Sequence, residues 1–227
     1  MGKNIRHENS RVGSIEVICG PMFSGKTEEL IRRLRRAMIA RQQVIVYKPA
    51  IDDRFDKTAV VSHSQHKIQS VPVANARQLQ AHLASLRQAT VVGIDEAQFF
   101  DTELVAMVET AALNGLRVIV AGLDQDYLGQ PFGPMPALLA IADSVLKQTA
   151  VCVLCGSPAT KTQRVFNAKN AEKLAEPGQF LVGAADSYEA RCRECYEPAV
   201  IQASDYSTFN LDAMLLSSAP AQSLGEH

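Results

Sequence analysis

One octapeptide narrows what this chain can become: Gly20-Pro21-Met22-Phe23-Ser24-Gly25-Lys26-Thr27, a match to G-x-x-x-x-G-K-[ST]. An apolar run, residues 15–19, leads into it, and a helical pattern begins near Glu28. A strand, a glycine-bearing turn and a helix in that order form a cradle for phosphate. The glycines let backbone N–H groups close around anionic oxygens, and the helix turns its positive end towards them. Lys26 is placed to reach the outer phosphates, and the Thr27 hydroxyl to ligate Mg²⁺. A chain built on this unit is expected to be α/β, with a parallel sheet covered by helices on both faces.

The rest of the sequence supports that reading. Val44-Ile45-Val46-Tyr47 predicts a buried strand, and residues 58–62 and 68–73 predict short ones. An amphipathic helix is expected from the cap at Asn75 to about residue 87. Further strands are expected at 90–95, 116–121 and 145–151, with helices over 101–114 and from Pro134 onwards. Residues 26–40 carry Leu30, Ile31, Leu34 and Ala37 at helical spacing, with Arg32, Arg33, Arg35 and Arg36 between them. That basic run reads as a solvated face, the competing reading being contact with nucleotide or another subunit. Residues 1–13 read as a disordered lead-in, 14–151 as the nucleotide-binding domain, 152–202 as a cysteine-bearing module, and 203–227 as a disordered tail.

Two acids, Asp95 and Glu96, close the apolar strand 90–94 about seventy residues after the phosphate loop. That is where such proteins keep the group that holds Mg²⁺ and its neighbour that orients or deprotonates the nucleophile. The nucleophile is either water, as in an ATPase, or a substrate hydroxyl, as in a kinase. After the second strand, Asp52-Asp53-Arg54 stands where open sheets face their ligand. These residues serve either magnesium and phosphate or a surface ion pair.

Cys152-x-x-Cys155 and Cys192-x-x-Cys195 are a ligand set for structural zinc, four thiolates leaving no open position. The alternative is redox dithiols or paired core thiols. The gap between the pairs exceeds that of an ordinary zinc ribbon, which suggests that metal pins the ends of a functional loop. Cys19 reads as a small buried strand residue. A net charge of −1 argues against nucleic acid as a partner. No export signal or membrane span is visible, so a cytoplasmic protein is expected.

Together these residues resemble the type II thymidine kinases, a compact, zinc-containing P-loop family. The likeness rests on residues 20–27, Asp52-Asp53-Arg54-Phe55, Asp95-Glu96-Ala97-Gln98-Phe99-Phe100 and Pro131-Phe132-Gly133. Thr162-Gln163-Arg164, residues 183–188 and the two cysteine pairs complete it, so it spans about 14–197. The resemblance implies an ATP-dependent kinase acting on the 5′-hydroxyl of deoxythymidine. Glu96 would be the general base, Asp95 would hold magnesium through water, and Arg54 would lie against the transferring phosphoryl group. Lys26 would engage the phosphates. Asp52 is the favoured acid of its pair for the substrate side. Phe99, Tyr127 and Phe132 would wall the thymine pocket, with family members often carrying Phe in place of Tyr127. Residues 162–188 would form a lasso over the nucleoside, bringing Thr162, backbone near Leu181, Val182 and Gly183, and the Tyr188 side chain. Gly183-Ala184 departs from the usual pair of glycines. Family members are usually homotetramers inhibited by thymidine triphosphate. The rival is a nucleic-acid-dependent P-loop ATPase with a zinc module for binding, disfavoured by the charge and by the lack of room for a second motor lobe.

Overall fold

A computed structural model describes residues 13–51, 59–61, 67–86, 90–165 and 187–197, all within one compact unit that ends at Glu197. Strand β1 (Ser14–Cys19) runs into the phosphate loop, which opens helix α1 (Lys26–Ile39), followed by β2 (Val44–Pro49). Next come β3 (Ala59–Val61), β4 (Lys67–Gln69), β5 (Val71–Val73) and α2 (Ala76–Ala84). Then β6 (Val91–Ile94), a 3₁₀ turn at Ala97–Phe99, α3 (Glu103–Leu113), β7 (Arg117–Gly122), α4 (Met135–Ile141) and β8 (Ser144–Lys147) follow.

Six of these strands form one sheet in the order β5-β2-β6-β7-β1-β8, every neighbouring pair parallel. Both faces are covered, which is why the strands read as nearly continuous apolar runs. Ile15, Val17, Val92, Ile94, Val118 and Val120 face Leu79 of α2, Leu104 and Val108 of α3, and Leu138 of α4. Ile18, Val46, Val91 and Ile119 face Leu30, Ile31, Leu34 and Ala37 of α1. Gly93 permits that second contact, since a Cβ there would stand 2.9 Å from Leu34 Cδ1. Cys19 belongs to the first cluster and is fully buried, as expected for a small strand residue. Burial is also the main reason its thiol is pushed up to about 11.

Local signals account for the helix ends. The Asn75 side chain accepts from Gln78 N at 2.9 Å and caps α2. Beyond α3, Gly115 takes φ 87°, the left-handed conformation that closes a helix without a Cβ penalty. Gly13, at the end of the expected lead-in, donates to Ala112 O at 2.8 Å.

Beyond the sheet the chain builds a small module: β9 (Ala150–Val151), β10 (Pro158–Ala159), β11 (Lys161–Arg164) and β12 (Tyr188–Arg191). β9 pairs with β10 and β11 with β12, both antiparallel. The single strand expected over 145–151 is therefore two. Gln148 N still donates to Cys19 O at 2.8 Å, extending the β8 edge, and the chain then leaves the sheet for the module. An apolar pattern shows that a segment pairs but not with which neighbour. Residues 1–12 and 203–227, where disorder is expected, lie outside the described residues, as do 198–202, expected at the end of the cysteine-bearing module.

Candidate active site

The carboxyl ends of β1, β6 and β7 meet on one edge of the sheet, with β7 lying between the other two. At the end of β1 the backbone turns through three left-handed residues, Gly20 (φ 140°), Phe23 (φ 66°) and Gly25 (φ 82°). Gly20 has no room for a side chain, because a Cβ would sit 2.4 Å from Gln148 O. Ser24 Oγ donates to Pro21 O at 2.9 Å, and Lys26 Nζ donates to the same carbonyl at 2.7 Å. Gly25 O accepts the first helical bond of α1, from Glu29 N at 3.0 Å. Loop amides and the amino end of α1 thus share one concavity, an arrangement that attracts anions.

The acids after β6 sit beside this loop. Thr27 Oγ1 donates to Asp95 Oδ2 at 3.3 Å, linking the two motifs across the intervening strand. Asp95 Oδ1 accepts from Glu96 N at 3.0 Å, and Asp95 is buried. Glu96 takes φ 50°, ψ 42°, a left-handed conformation uncommon for a residue with a side chain. Its carboxylate accepts a hydrogen bond from Gln98 Nε2. A hydroxyl and a carboxylate on one cation position, with a second carboxylate adjacent, suit a magnesium–triphosphate complex and a nearby proton transfer.

Two of the expected wall residues meet: the Phe99 and Phe132 rings stand edge to face, 5.8 Å between centroids. Tyr127 lies on the same loop as Phe132, with the Arg164 guanidinium 5.0 Å above its ring centroid. Thr162, buried on β11, accepts from Met22 N at 3.0 Å, so it is tied directly to the phosphate loop. Tyr188, also buried, lies opposite Arg164 in the β11–β12 register, and Val165 N donates to Ser187 O at 2.8 Å where that ladder ends. Asp52, Arg54, Leu181, Val182 and Gly183 lie outside the described residues, as does most of the 162–188 segment.

The four cysteines converge. The Sγ atoms of Cys152, Cys155, Cys192 and Cys195 all lie within 4.8 Å of one another. Zn–S bonds of about 2.3 Å in a tetrahedron put sulfurs about 3.8 Å apart, so the set fits a single ion with small adjustments. Backbone N–H groups, that of Cys192 foremost, pull the Cys152 thiol down to about 6, while a hydrogen bond that the Cys195 thiol shares with the Cys192 side chain pushes Cys195 up to about 12. The Cys155 thiol is lowered as well, chiefly by hydrogen bonding with the Ser157 side chain; a cation is what would favour the thiolate of Cys195.

This module is fastened to the loop after β7 by residues that sequence reasoning did not single out. Tyr196 Oη donates to Tyr127 O at 2.7 Å, and Lys161 Nζ donates to Gln125 Oε1 at 2.7 Å while lying 5.5 Å from the Tyr196 ring centroid. Only the place of Tyr196, next to Cys195, hinted at a role. The arginines of α1 sit elsewhere. Arg32, Arg33 and Arg36 line a cleft of about 650 Å³ with Ser14, Arg117 and Ser144, residues that begin strands, so it opens at the opposite end of the sheet. Arg33 there bonds Glu16 and Glu29, and Arg32 bonds Glu29. Arg32 and Arg33 thus belong to an ion-pair network with Glu16 and Glu29. No helix among the described residues is long and apolar enough to cross a membrane.

Residues 13–196 match the family model described as thymidine kinase. A protein named thymidine kinase from Rhodothermus sp. (strain ITI 518) is 54% identical over 194 residues, covering 86% of this chain and 85% of that protein. Among solved structures, the Thermotoga maritima RuvB Holliday junction branch migration motor aligns with a TM-score of 0.35 at 14% identity, over 60% of this chain and 38% of that one. So distant a likeness carries no argument about function.

Proposed function

The chain belongs to the thymidine kinase family, and on that premise we propose that it transfers the γ-phosphoryl group of Mg-ATP to the 5′-hydroxyl of deoxythymidine. The observation that carries the proposal is the junction of loop and acids: Thr27 bonded to Asp95, with Glu96 next in the chain, turned back by its left-handed backbone. Lys26 would exchange the Pro21 carbonyl for phosphate oxygens. Thr27 and Asp95 would hold magnesium, Asp95 through water; the ion would neutralise charge on the β- and γ-oxygens. Glu96 would take the proton of the 5′-hydroxyl as its oxygen bonds to the γ-phosphorus and the bond to the ADP oxygen breaks. Asp52 and Arg54 would assist at the phosphoryl group.

Phe99, Tyr127 and Phe132 would wall the base, and backbone near Leu181, Val182 and Gly183 would read its polar edge, with Thr162 and Tyr188 at the neck. Closure over the nucleoside would exclude water and favour transfer over hydrolysis. The cysteine cluster would carry structural zinc. By family analogy the enzyme would be a cytoplasmic homotetramer restrained by thymidine triphosphate.

The test is ADP release from Mg-ATP with thymidine, other nucleosides or single-stranded DNA added separately. Stimulation by thymidine, with thymidine monophosphate appearing in step with ADP and nearly abolished by Glu96→Gln, is expected. Stimulation by DNA alone would replace the kinase with a nucleic-acid-dependent ATPase.

A further inference from the structure

Gln98 is buried to 2% exposure, yet it is two residues from the proposed base and carries two donors and an acceptor. Its amide has only one workable orientation. Leu123 N, just past the end of β7, donates to Gln98 Oε1 at 2.9 Å. A backbone N–H can only donate, so the amide oxygen must face it and the NH₂ must face the other way. What lies there is Glu96 Oε2. A carboxylate can only accept, so the amide bridges a donor and an acceptor that neither a carboxylate nor an alkyl chain of that length could join without an added proton or a lost bond.

The seat of this side chain is shaped for it. A Cβ on Gly122 would stand 2.8 Å from Gln98 Oε1 and 2.7 Å from Met135 Sδ. A Cβ on Gly133 would stand 2.3 Å from Gln98 O. The two glycines flank the amide and its backbone, one on β7 and one after Phe132. Glu96 is thereby held at three points: its N–H by Asp95, its carbonyl by Phe99 N at 3.1 Å, and its carboxylate by Gln98. Left-handed backbone at a residue with a Cβ costs about 1–2 kcal/mol and persists where the surroundings over-determine it.

We infer that Gln98 is a positioning residue for phosphoryl transfer: its amide fixes the orientation of the Glu96 carboxylate against the end of β7. This rests on the assignment of Glu96 as base. Gln98 acts in this reading through Glu96 rather than on the substrate, its amide lying between Leu123 N and the Glu96 carboxylate.

The experiment compares Gln98→Glu and Gln98→Ala with the wild type in steady-state thymidine phosphorylation. Gln98→Glu keeps the shape of the side chain and an acceptor for Leu123 N but replaces the NH₂ that faces Glu96 with an oxygen. The expected result is a kcat about ten- to hundred-fold lower in either variant, from the loss of a hydrogen bond to a charged group, with KM for Mg-ATP within two-fold of the wild type. In a Glu96→Ala background Gln98→Ala should change the residual rate by less than two-fold. A kcat for Gln98→Glu within two-fold of the wild type, or a Gln98→Ala effect undiminished when Glu96 is absent, overturns the inference. Wild-type protein inert towards every nucleoside would instead remove the kinase reading on which it stands.

Discussion

Removing a single hydroxyl tests whether the cysteine module shapes the nucleoside pocket. In Tyr196→Phe the bond from Tyr196 Oη to Tyr127 O, 2.7 Å in the native chain, is lost while the ring stays. Burial pushes the Tyr196 phenol up, so it is a protonated donor throughout the neutral range. A neutral hydrogen bond of this kind contributes about 1 kcal/mol, which in binding is about a five-fold change. Tyr196→Ala goes further: it also strips the ring from beneath Lys161 and from its place beside Gly129, where a Cβ would stand 3.7 Å from Tyr196 Cε1. That adds about 0.5–1 kcal/mol for the exposed cation–π contact. Thymidine affinity, measured by titration calorimetry, should therefore fall about five-fold in Tyr196→Phe and about ten- to thirty-fold in Tyr196→Ala. Mg-ATP affinity should hold within two-fold in both, because Met22 meets the module through Thr162 rather than through Tyr196. Equal losses for the two ligands, or thymidine binding unchanged in Tyr196→Ala, would refute the coupling.

Other perturbations have equally definite outcomes. Gly133→Ala combines φ 51° with a Cβ 2.3 Å from the Gln98 carbonyl, so it should destabilise by about 2–4 kcal/mol and lower kcat; a urea midpoint within error of the wild type would contradict this. Burial opposes ionisation of Glu16, but bonds from Arg117 and Arg33 outweigh it and hold the carboxyl low, while bonds led by Arg32 hold Glu29 at about 2. Both pKa values are depressed by folding, so their stabilisation is complete above an unfolded value of about 4.3 and is lost as pH falls towards 2. Urea midpoints should drop across that window, and less steeply in Glu16→Gln; parallel curves would argue against it. Cys152→Ser, or treatment with a strong chelator, should weaken thymidine binding and thermal stability more than Mg-ATP binding, with zinc found near one per chain in untreated, reduced protein by elemental analysis.

Much of this was legible in the residues because the signals are local. A strand, a glycine turn and Lys26-Thr27 define the phosphate loop without reference to anything distant, and Asn75 declares its helix end in the same way. Asp95 and Glu96 were readable because a buried parallel strand delivers its next residues to the ligand edge. What escaped depends on partners far along the chain. Gln98 meets Leu123, Tyr196 meets Tyr127, and Lys161 meets Gln125. No periodicity encodes those pairings; they follow from the strand order that sets β7 beside β6 and the module beside the loop after β7. The break between β8 and β9 was hidden for the same reason, since an apolar run does not name its neighbour.

The β11–β12 ladder has a consequence for how this protein can vary. Chain leaves the described structure at Val165 and returns at Ser187, and those two residues are joined by a backbone hydrogen bond. The two chain ends that flank 166–186 are therefore held side by side by the ladder, with the cysteine cluster on the residues beyond it. Once the ends of a connection are fixed in this way, lengthening it costs little, about 0.6 kcal/mol for each doubling of length. Insertions between Val165 and Ser187 should thus leave the sheet, the phosphate loop and Glu96 under their own separate constraints.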